Sequence, residues 1–353
     1  MTTIAVGLSG GVDSSVAAYL LKEAGYNVIG IFMQNWENDN NNAYCTIKED
    51  SMDAIAVADR LGIDIDIINF AKEYQDRVFN YFLDEYQNGR TPNPDILCNS
   101  EIKFNAFLDH ALNLGADYIA TGHYVKKAIT PHGEALSKAL DKNKDQSYFL
   151  YRLNQYQINH AIFPLQDMEK PQVREIAAKL NLCNAHKKDS TGICFIGERP
   201  FREFLQQYLP IKPGHMITPN GKIMGEHLGL MYYTIGQRRG LNIGGCGEPW
   251  FVADKNLATN ELIVVQGHNH PLLLKTELTA HQMSFGLGIK PAPGKYTAKT
   301  RYRTHDAPCW LTYVNDEDDA VQLIFDEPQW AITPGQSVVI YKQELCLGGG
   351  IIV

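Results

Sequence analysis

The densest run of chemically capable residues is Ser9-Gly10-Gly11-Val12-Asp13-Ser14-Ser15, which follows the apolar stretch Ile4–Leu8 and precedes a helical pattern. Glycines let a backbone come close to a phosphate. The hydroxyls and the first N–H groups of a helix supply donors where the helix dipole favours an anion. The run lacks the Lys of G-x-x-x-x-G-K-[ST] and the spacing of G-x-G-x-x-G, so neither common nucleotide fingerprint fits. A tight strand–helix turn capped by Ser or Asp is the plain alternative.

Two further segments carry thiols. Gly89-Arg-Thr-Pro-Asn-Pro-Asp-Ile-Leu-Cys-Asn99 is a loop stiffened by Pro92 and Pro94, with a helix expected from Ser100 to Leu114. Proline fixes the backbone, so Asn93, Asp95 and Cys98 are presented on a rigid approach to a helix N-terminus, a place that favours a thiolate. Lys187-Lys-Asp-Ser-Thr-Gly-Ile-Cys-Phe-Ile-Gly197 sets Cys194 in a glycine-containing connection after two cations, which lower a thiol pKa when close. For either cysteine, a small buried side chain is the bland alternative. Asp95, three residues before Cys98, is a candidate general acid or base, or a carboxylate at the start of the next helix.

These residues need a scaffold, and the first 120 positions describe one. Strands are expected at Ile4–Leu8, Val28–Met33, Ile65–Phe70 and Tyr118–Thr121, with helices at Ser14–Ala24 and Ser51–Leu61 between them. Such alternation makes a parallel sheet whose ligands bind beyond the carboxyl ends of the strands. Residues 125–140 read as a hairpin turning at Pro131–Gly133, and Lys170–Leu180 reads as a helix. After about Pro210 helical periodicity fades. Alternating segments such as ELIVVQG and SVVIYKQ then predict a small, barrel-like all-β unit.

The chain has 353 residues, enough for two or three domains at about 150 each. Its 44% hydrophobic and 20% charged residues are those of an ordinary globular protein. Apolar runs are strand-sized, well short of the roughly 20 residues of a membrane span, and the N-terminus has no secretory pattern. A cytoplasmic protein without membrane partners is therefore expected. The seven cysteines are widely spaced, with no C-x-x-C pair, so neither a zinc knuckle nor a metal cluster is expected. A net charge of −8 argues against coating nucleic acid by bulk charge. Local basic patches are still allowed, and Lys290, Lys295, Lys299, Arg301 and Arg303 form one, interleaved with Tyr296 and Tyr302.

SGGxDS resembles the pyrophosphatase loop of the ATP pyrophosphatases, which include GMP synthetase, argininosuccinate synthetase and tRNA thiolases. The resemblance implies that ATP is cut between its α and β phosphates, that the loop cradles pyrophosphate, and that AMP activates a carbonyl oxygen. Asp13 would then help to hold Mg²⁺, or would serve only as a first-turn carboxylate. The strings SGGVDSS, NWE followed by Cys45, GRTPNPDILCN, ATGHY, KDQSYFLY, DSTGICFIGER, YTIGQRRGL, KTRYR, TPGQS and CLGGGII run in this order along nearly the whole chain. In that order they resemble the family of bacterial tRNA-specific 2-thiouridylases.

That family resemblance implies an α/β chain. A Rossmann-like, parallel-sheet ATP pyrophosphatase domain would occupy 1–205, a small central domain 206–272 and a β-barrel domain 273–353. It implies ATP contacts from Gly7, Leu8, Ser9, Gly10, Gly11, Val12, Asp13, Ser14, Met33 and Gly122, and target-base contacts from Asn93, Pro94 and Asp95. The implied tRNA contacts are His123, Lys144, Asp145, Gln146, Arg301, Tyr302 and Gln336, and His123 and Tyr124 are candidates to stack on a flipped base. Cys194 would carry sulfur as a persulfide. Cys98 would attack either the activated C2 or the persulfide, and either route ends in a transient Cys98–Cys194 disulfide. The partners implied are tRNA with a wobble uridine and a sulfur-donor relay protein or cysteine desulfurase. Two rivals remain: an amidotransferase or ligase acting on a small carbonyl compound, and a non-catalytic RNA-binding protein switched by nucleotide.

Overall fold

The computed structural model describes residues 1–37, 47–189, 201–314 and 320–353. Cys45 and Cys194 lie outside the described residues, as does most of the Glu37–Asn42 stretch.

The first unit is a five-stranded parallel sheet. Its strands are β1 (Thr3–Gly7), β2 (Asn27–Gln34), β3 (Asp64–Asn69), β4 (Tyr118–Ala120) and a short strand, Ala161–Ile162, which joins the β4 edge. The spatial order β3-β2-β1-β4, then the short strand, reverses direction between β1 and β4. A crevice opens at such a switch point, outside the carboxyl ends of the strands. The loop after Gly7 and the loop after Ala120 both empty into it. Helix α1 (Val12–Glu23) packs its Val16, Ala17, Ala18 and Leu21 face on the sheet, with α2 (Ile47–Leu61) beside it through Ala54, Val57 and Ala58.

The structure differs from expectation around Cys98. Helical winding begins at Pro94, not at residue 100, and continues as Pro94–Leu97, Cys98–Ala106 and Phe107–Asn113. Asn93 starts it: its side-chain oxygen accepts from the Asp95 N–H at 3.2 Å, and Pro94 occupies the first turn, where no N–H is needed. The Cys98–Ala106 stretch is π-helical, a widened winding often found at functional sites.

The hairpin Val125–Thr130 and Gly133–Lys138 forms as expected, but its partner is distant in sequence. Ser137 pairs with Leu345, so the hairpin extends the C-terminal sheet. That sheet closes on itself because Leu274–Phe285 pairs antiparallel with both Ala320–Trp330 and Leu345–Ile352. Its interior holds Leu278, Leu311, Val321, Leu323, Phe325, Val338 and Ile340. Between the two units lies a four-stranded sheet ordered Trp250–Asn256, Glu261–Gln266, Gly214–Ile217, Ile223–His227. Among the described residues no helix is long and apolar enough to cross a membrane.

Candidate active site

The site is built on the β1–α1 turn. Gly10 turns the chain with φ at +73°, and a Cβ there would stand 2.3 Å from the Asp50 carbonyl oxygen. Only glycine lets the loop pass beneath α2. Within the loop, the Ser14 hydroxyl donates to the Gly11 carbonyl at 3.1 Å and lies 3.2 Å from the Ser9 hydroxyl; Ser15 donates to the same carbonyl at 2.9 Å. Gly11 is the N-cap and has no side chain to close the helix, so among the described residues the first-turn N–H groups of α1 are left for an incoming anion.

The remaining residues expected at ATP meet this loop from neighbouring strands. The Met33 methyl would lie 3.1 Å from a Cβ on Gly7, and a Cβ on Gly122 would fall 2.6 Å from the Ser14 nitrogen. Gly122 thus lets the loop after β4 touch the start of α1. Asn184 anchors the far side, donating to the Gly10 carbonyl at 3.0 Å and to the Ser15 hydroxyl at 2.9 Å. Lys187 sits between Asp50 (2.7 Å) and Asp53 (2.5 Å), tying α2 to the same edge. Gly10→Ala is expected to cost about 1–2 kcal/mol for the left-handed backbone alone. Displacement of Asp50 should add to this and raise the KM for ATP at least tenfold. Denaturant titration and pyrophosphate release at varied ATP measure the two effects.

Sequence reasoning missed the cation of this site. Lys170, at the start of the Lys170–Lys179 helix and only 8% exposed, bonds both oxygens of Asp13 at 2.7 and 2.8 Å and reaches Asp189 at 2.8 Å. Lys144 and Arg174 complete the ring around Asp189. Burial pushes the Asp189 carboxyl up, but the hydrogen bonds from Lys144 and Lys170 outweigh it and hold the group at about 2. The folded value is depressed, so the stabilisation is fully present above the ordinary carboxylate range near 4 and fades as pH falls through 2. Lys170 carries no local motif; only Asp189, inside the KKDSTGIC string, was marked by its neighbours.

Asp13 does not fit the magnesium role. Both its oxygens are engaged by Lys170, one of them also by the Tyr124 hydroxyl at 2.8 Å. Among the described residues no three acidic, His or Cys side chains gather as a cation site. Tyr124 is buried, and burial together with the nearby Asp13 keeps its phenol protonated. It therefore orients Asp13 and is not placed to stack on a base. His123 is also inside, with Nδ1 2.8 Å from the Thr121 hydroxyl and its ring 5.8 Å from Phe104; burial, then Lys103, pushes its pKa well down, so it is neutral.

The other residues expected at tRNA are engaged inside the protein. Asp145 is buried and accepts from the Ala139 N–H, the Ser147 N–H and the Ser147 hydroxyl, while Gln146 accepts from the Tyr124 N–H at 3.0 Å. Tyr302 packs on Phe149 at 4.4 Å. Arg301 donates to the Ile235 and Ala331 carbonyls and the Thr333 hydroxyl, fastening the central sheet to the barrel. Gln336 donates to the Thr91 carbonyl at 2.7 Å, the Pro334 carbonyl accepts from the Thr91 N–H at 2.9 Å, and Lys255 donates to the Gly89 carbonyl at 2.7 Å. The barrel and the central sheet therefore both grip the loop of the first unit that leads to Asn93, Pro94, Asp95 and Cys98. A cleft of about 200 Å³ lies at this junction, lined by Gly89, Arg90, Thr91, Ile235, Lys255 and Pro334 among others. Asp95 is half-buried in the first helical turn, whereas Cys98 is fully buried in the main apolar core.

A parallel sheet with a glycine-turned helix start at its switch point marks a doubly wound α/β protein of the nucleotide-binding class. Residues 2–198 match the family model described as tRNA methyl transferase HUP domain. Residues 202–266 match the tRNA methyl transferase PRC-barrel domain, and 275–352 the aminomethyltransferase beta-barrel domain. The chain is 65% identical over 351 residues to the tRNA-specific 2-thiouridylase MnmA of Neisseria meningitidis serogroup C, covering 99% of this chain and 95% of that one. The proteins of the same name from Chromobacterium violaceum (63%; 99% and 91% covered) and Thiobacillus denitrificans (62%; 99% and 99%) are similar throughout. The chain belongs to the tRNA-specific 2-thiouridylase family.

Proposed function

We propose that this protein is a sulfurtransferase that uses ATP to replace the C2 oxygen of a tRNA wobble uridine with sulfur. The observation that carries this reading is the 65% identity that runs along 99% of the chain. The helix start of α1 supports it, as does the way the central sheet and the barrel both hold the Cys98 loop of the first unit. The domain limits we propose are 1–205, 206–272 and 273–353.

In the first step the C2 oxygen attacks the α phosphate of ATP and pyrophosphate leaves. Oxygen thereby becomes part of a good leaving group, AMP. The Gly7–Ser14 loop receives the phosphates, and Lys170 supplies positive charge where a polyanion arrives beside Asp13. Asn93, Pro94 and Asp95 receive the base, with Asp95 moving the proton. In the second step a persulfide on Cys194 provides sulfur, and AMP departs as sulfur bonds to C2. Cys98 either attacks C2 and expels AMP, is displaced from carbon by the outer sulfur of the persulfide and then takes the inner sulfur, or it attacks the inner sulfur at once and releases hydrosulfide, which displaces AMP at C2. The two thiols finish as a disulfide, which needs a reductant at each turnover and so suits the cytoplasm. A relay protein or cysteine desulfurase recharges Cys194.

The test is mass analysis of nucleosides from unmodified tRNA incubated with the protein, ATP, Mg²⁺ and a sulfide source. The expected result is one oxygen exchanged for sulfur in a wobble uridine, with AMP and pyrophosphate released. Unaltered tRNA with ATP cleavage driven by a nitrogen nucleophile would establish the amidotransferase rival. Tight RNA binding with no pyrophosphate released would establish the nucleotide switch.

A further inference from the structure

The string YTIGQRRGL is left without a task by the chemistry above. In the structure it forms a turn locked at both ends by one side chain. Gln237 accepts from the Thr234 N–H at 3.0 Å and donates to the Arg239 carbonyl at 2.9 Å, while its own N–H meets the Thr234 carbonyl at 2.9 Å. The neighbouring strand pins the same turn: the Gly236 N–H donates to the Val252 carbonyl at 2.7 Å and the Val252 N–H to the Gln237 carbonyl at 3.0 Å. Gly236, with φ at +82°, has no room for a Cβ, which would lie 2.8 Å from Ala331 and Trp330 of the barrel. The backbone under Arg238 and Arg239 is thus fixed from three sides.

Both arginines are exposed on this fixed turn, and neither has an ion-pair partner among the described residues. A third guanidinium, Arg202, lies over the Tyr233 ring at 5.6 Å and comes within 3.4 Å of a Cβ position on Gly240. Among the described residues none of the three guanidiniums has an acidic partner, in a chain whose net charge is −8. Planar guanidinium groups match phosphate oxygens, and their geometry is worth most when the backbone that carries them does not move. Small-molecule anions prefer concave sites, whereas this turn is presented outward, as contacts to a nucleic-acid backbone are. The turn also joins the reaction centre physically, since the Thr234 hydroxyl lies 3.4 Å from that of Thr91, ahead of Asn93, Pro94 and Asp95.

We propose that the Arg238–Arg239 turn, with Arg202 beside it, is a phosphate-gripping surface for the tRNA backbone, held in register with the loop that receives the base. This rests on the tRNA reading above. The contacts are electrostatic and independent of base identity.

The test measures tRNA affinity by fluorescence anisotropy from about 50 to 200 mM salt for the wild type, R238A/R239A and R238K/R239K. Each phosphate contact adds roughly 0.7 to 0.9 to the slope of log affinity against log salt. R238A/R239A is therefore expected to lower the slope by about 1.4 to 1.8 and to weaken binding at least tenfold at low salt. R238K/R239K should keep most of the slope. ATP affinity measured without tRNA, and the thermal midpoint, check that both variants are folded. An unchanged slope in folded R238A/R239A, or a slope lost equally in the lysine variant, overturns the proposal while leaving the thiolation reading intact. A wild-type protein that does not bind tRNA overturns both.

Discussion

Lys170→Met is expected to lower pyrophosphate release by about 10²–10³-fold, the scale seen when one preorganised charge partner is removed from a reacting centre. The side chain bonds both oxygens of Asp13 and one of Asp189, and it comes from a helix that packs against α1. Without its ammonium group two carboxylates share a small space into which a triphosphate must fit, so like charges oppose ATP entry. Stability should also fall, by about 1–2 kcal/mol. That is less than for a fully buried pair, because both acids keep about a third of their exposure. Adding Asp13→Asn to Lys170→Met separates the two effects. The double variant should regain stability as the repulsion is relieved and should remain slow in pyrophosphate release. If Lys170→Met releases pyrophosphate within threefold of the wild type, Lys170 is a scaffold residue and the loop neutralises phosphate with its N–H groups alone.

The contacts of Lys170 show why part of the site was legible in the sequence and part was not. The anion loop could be read because its function is local: glycines, hydroxyls and a helix start must be consecutive for a backbone to wrap a phosphate. Met33 and Gly122 join that loop because parallel strands end on one side of the sheet, which the alternation of strands and helices near the N-terminus already implied, whereas the strand order that sets them beside it came only with the fold. Lys170 is 157 residues from Asp13, so no spacing rule links them. The same limit explains the residues expected at tRNA. A string such as KTRYR reads as an exposed cationic strip. Only the fold shows Arg301 turned inward to carbonyls of the central sheet and the barrel. The hairpin at 125–138 was recognised from its turn residues, but its addition to the barrel through Ser137 and Leu345 depends on tertiary packing alone. The Cys98 helix starts six residues ahead of where the sequence suggests, because Pro92 and Pro94 read as loop signals although a proline in the first turn is well tolerated.

Cys98→Ser is expected to reduce thiolation by at least about 10³-fold while pyrophosphate release and tRNA binding stay within a few-fold of the wild type. The split follows from the proposed sequence of steps, in which adenylation draws on the β1–α1 loop and Lys170 and Cys98 acts only once the C2 oxygen has been activated. Adenylated tRNA should accumulate in this variant and be detectable by mass. The thiol has no exposure and sits at the first residue of the π-helical stretch, among core side chains that include Ile96, Leu97 and Ile102. Chemistry at Cys98 therefore requires the 94–98 turn to open toward the base. In the free protein, alkylation of Cys98 should be slower than that of the exposed Cys183 and Cys246 by about two orders of magnitude, and tRNA with ATP should accelerate it selectively. Peptide mass mapping after timed alkylation reads all three thiols in one sample. A Cys98 that stays protected in the presence of tRNA and ATP, together with a Cys98→Ser variant that thiolates within tenfold of the wild type, would return this residue to a purely apolar role in the core.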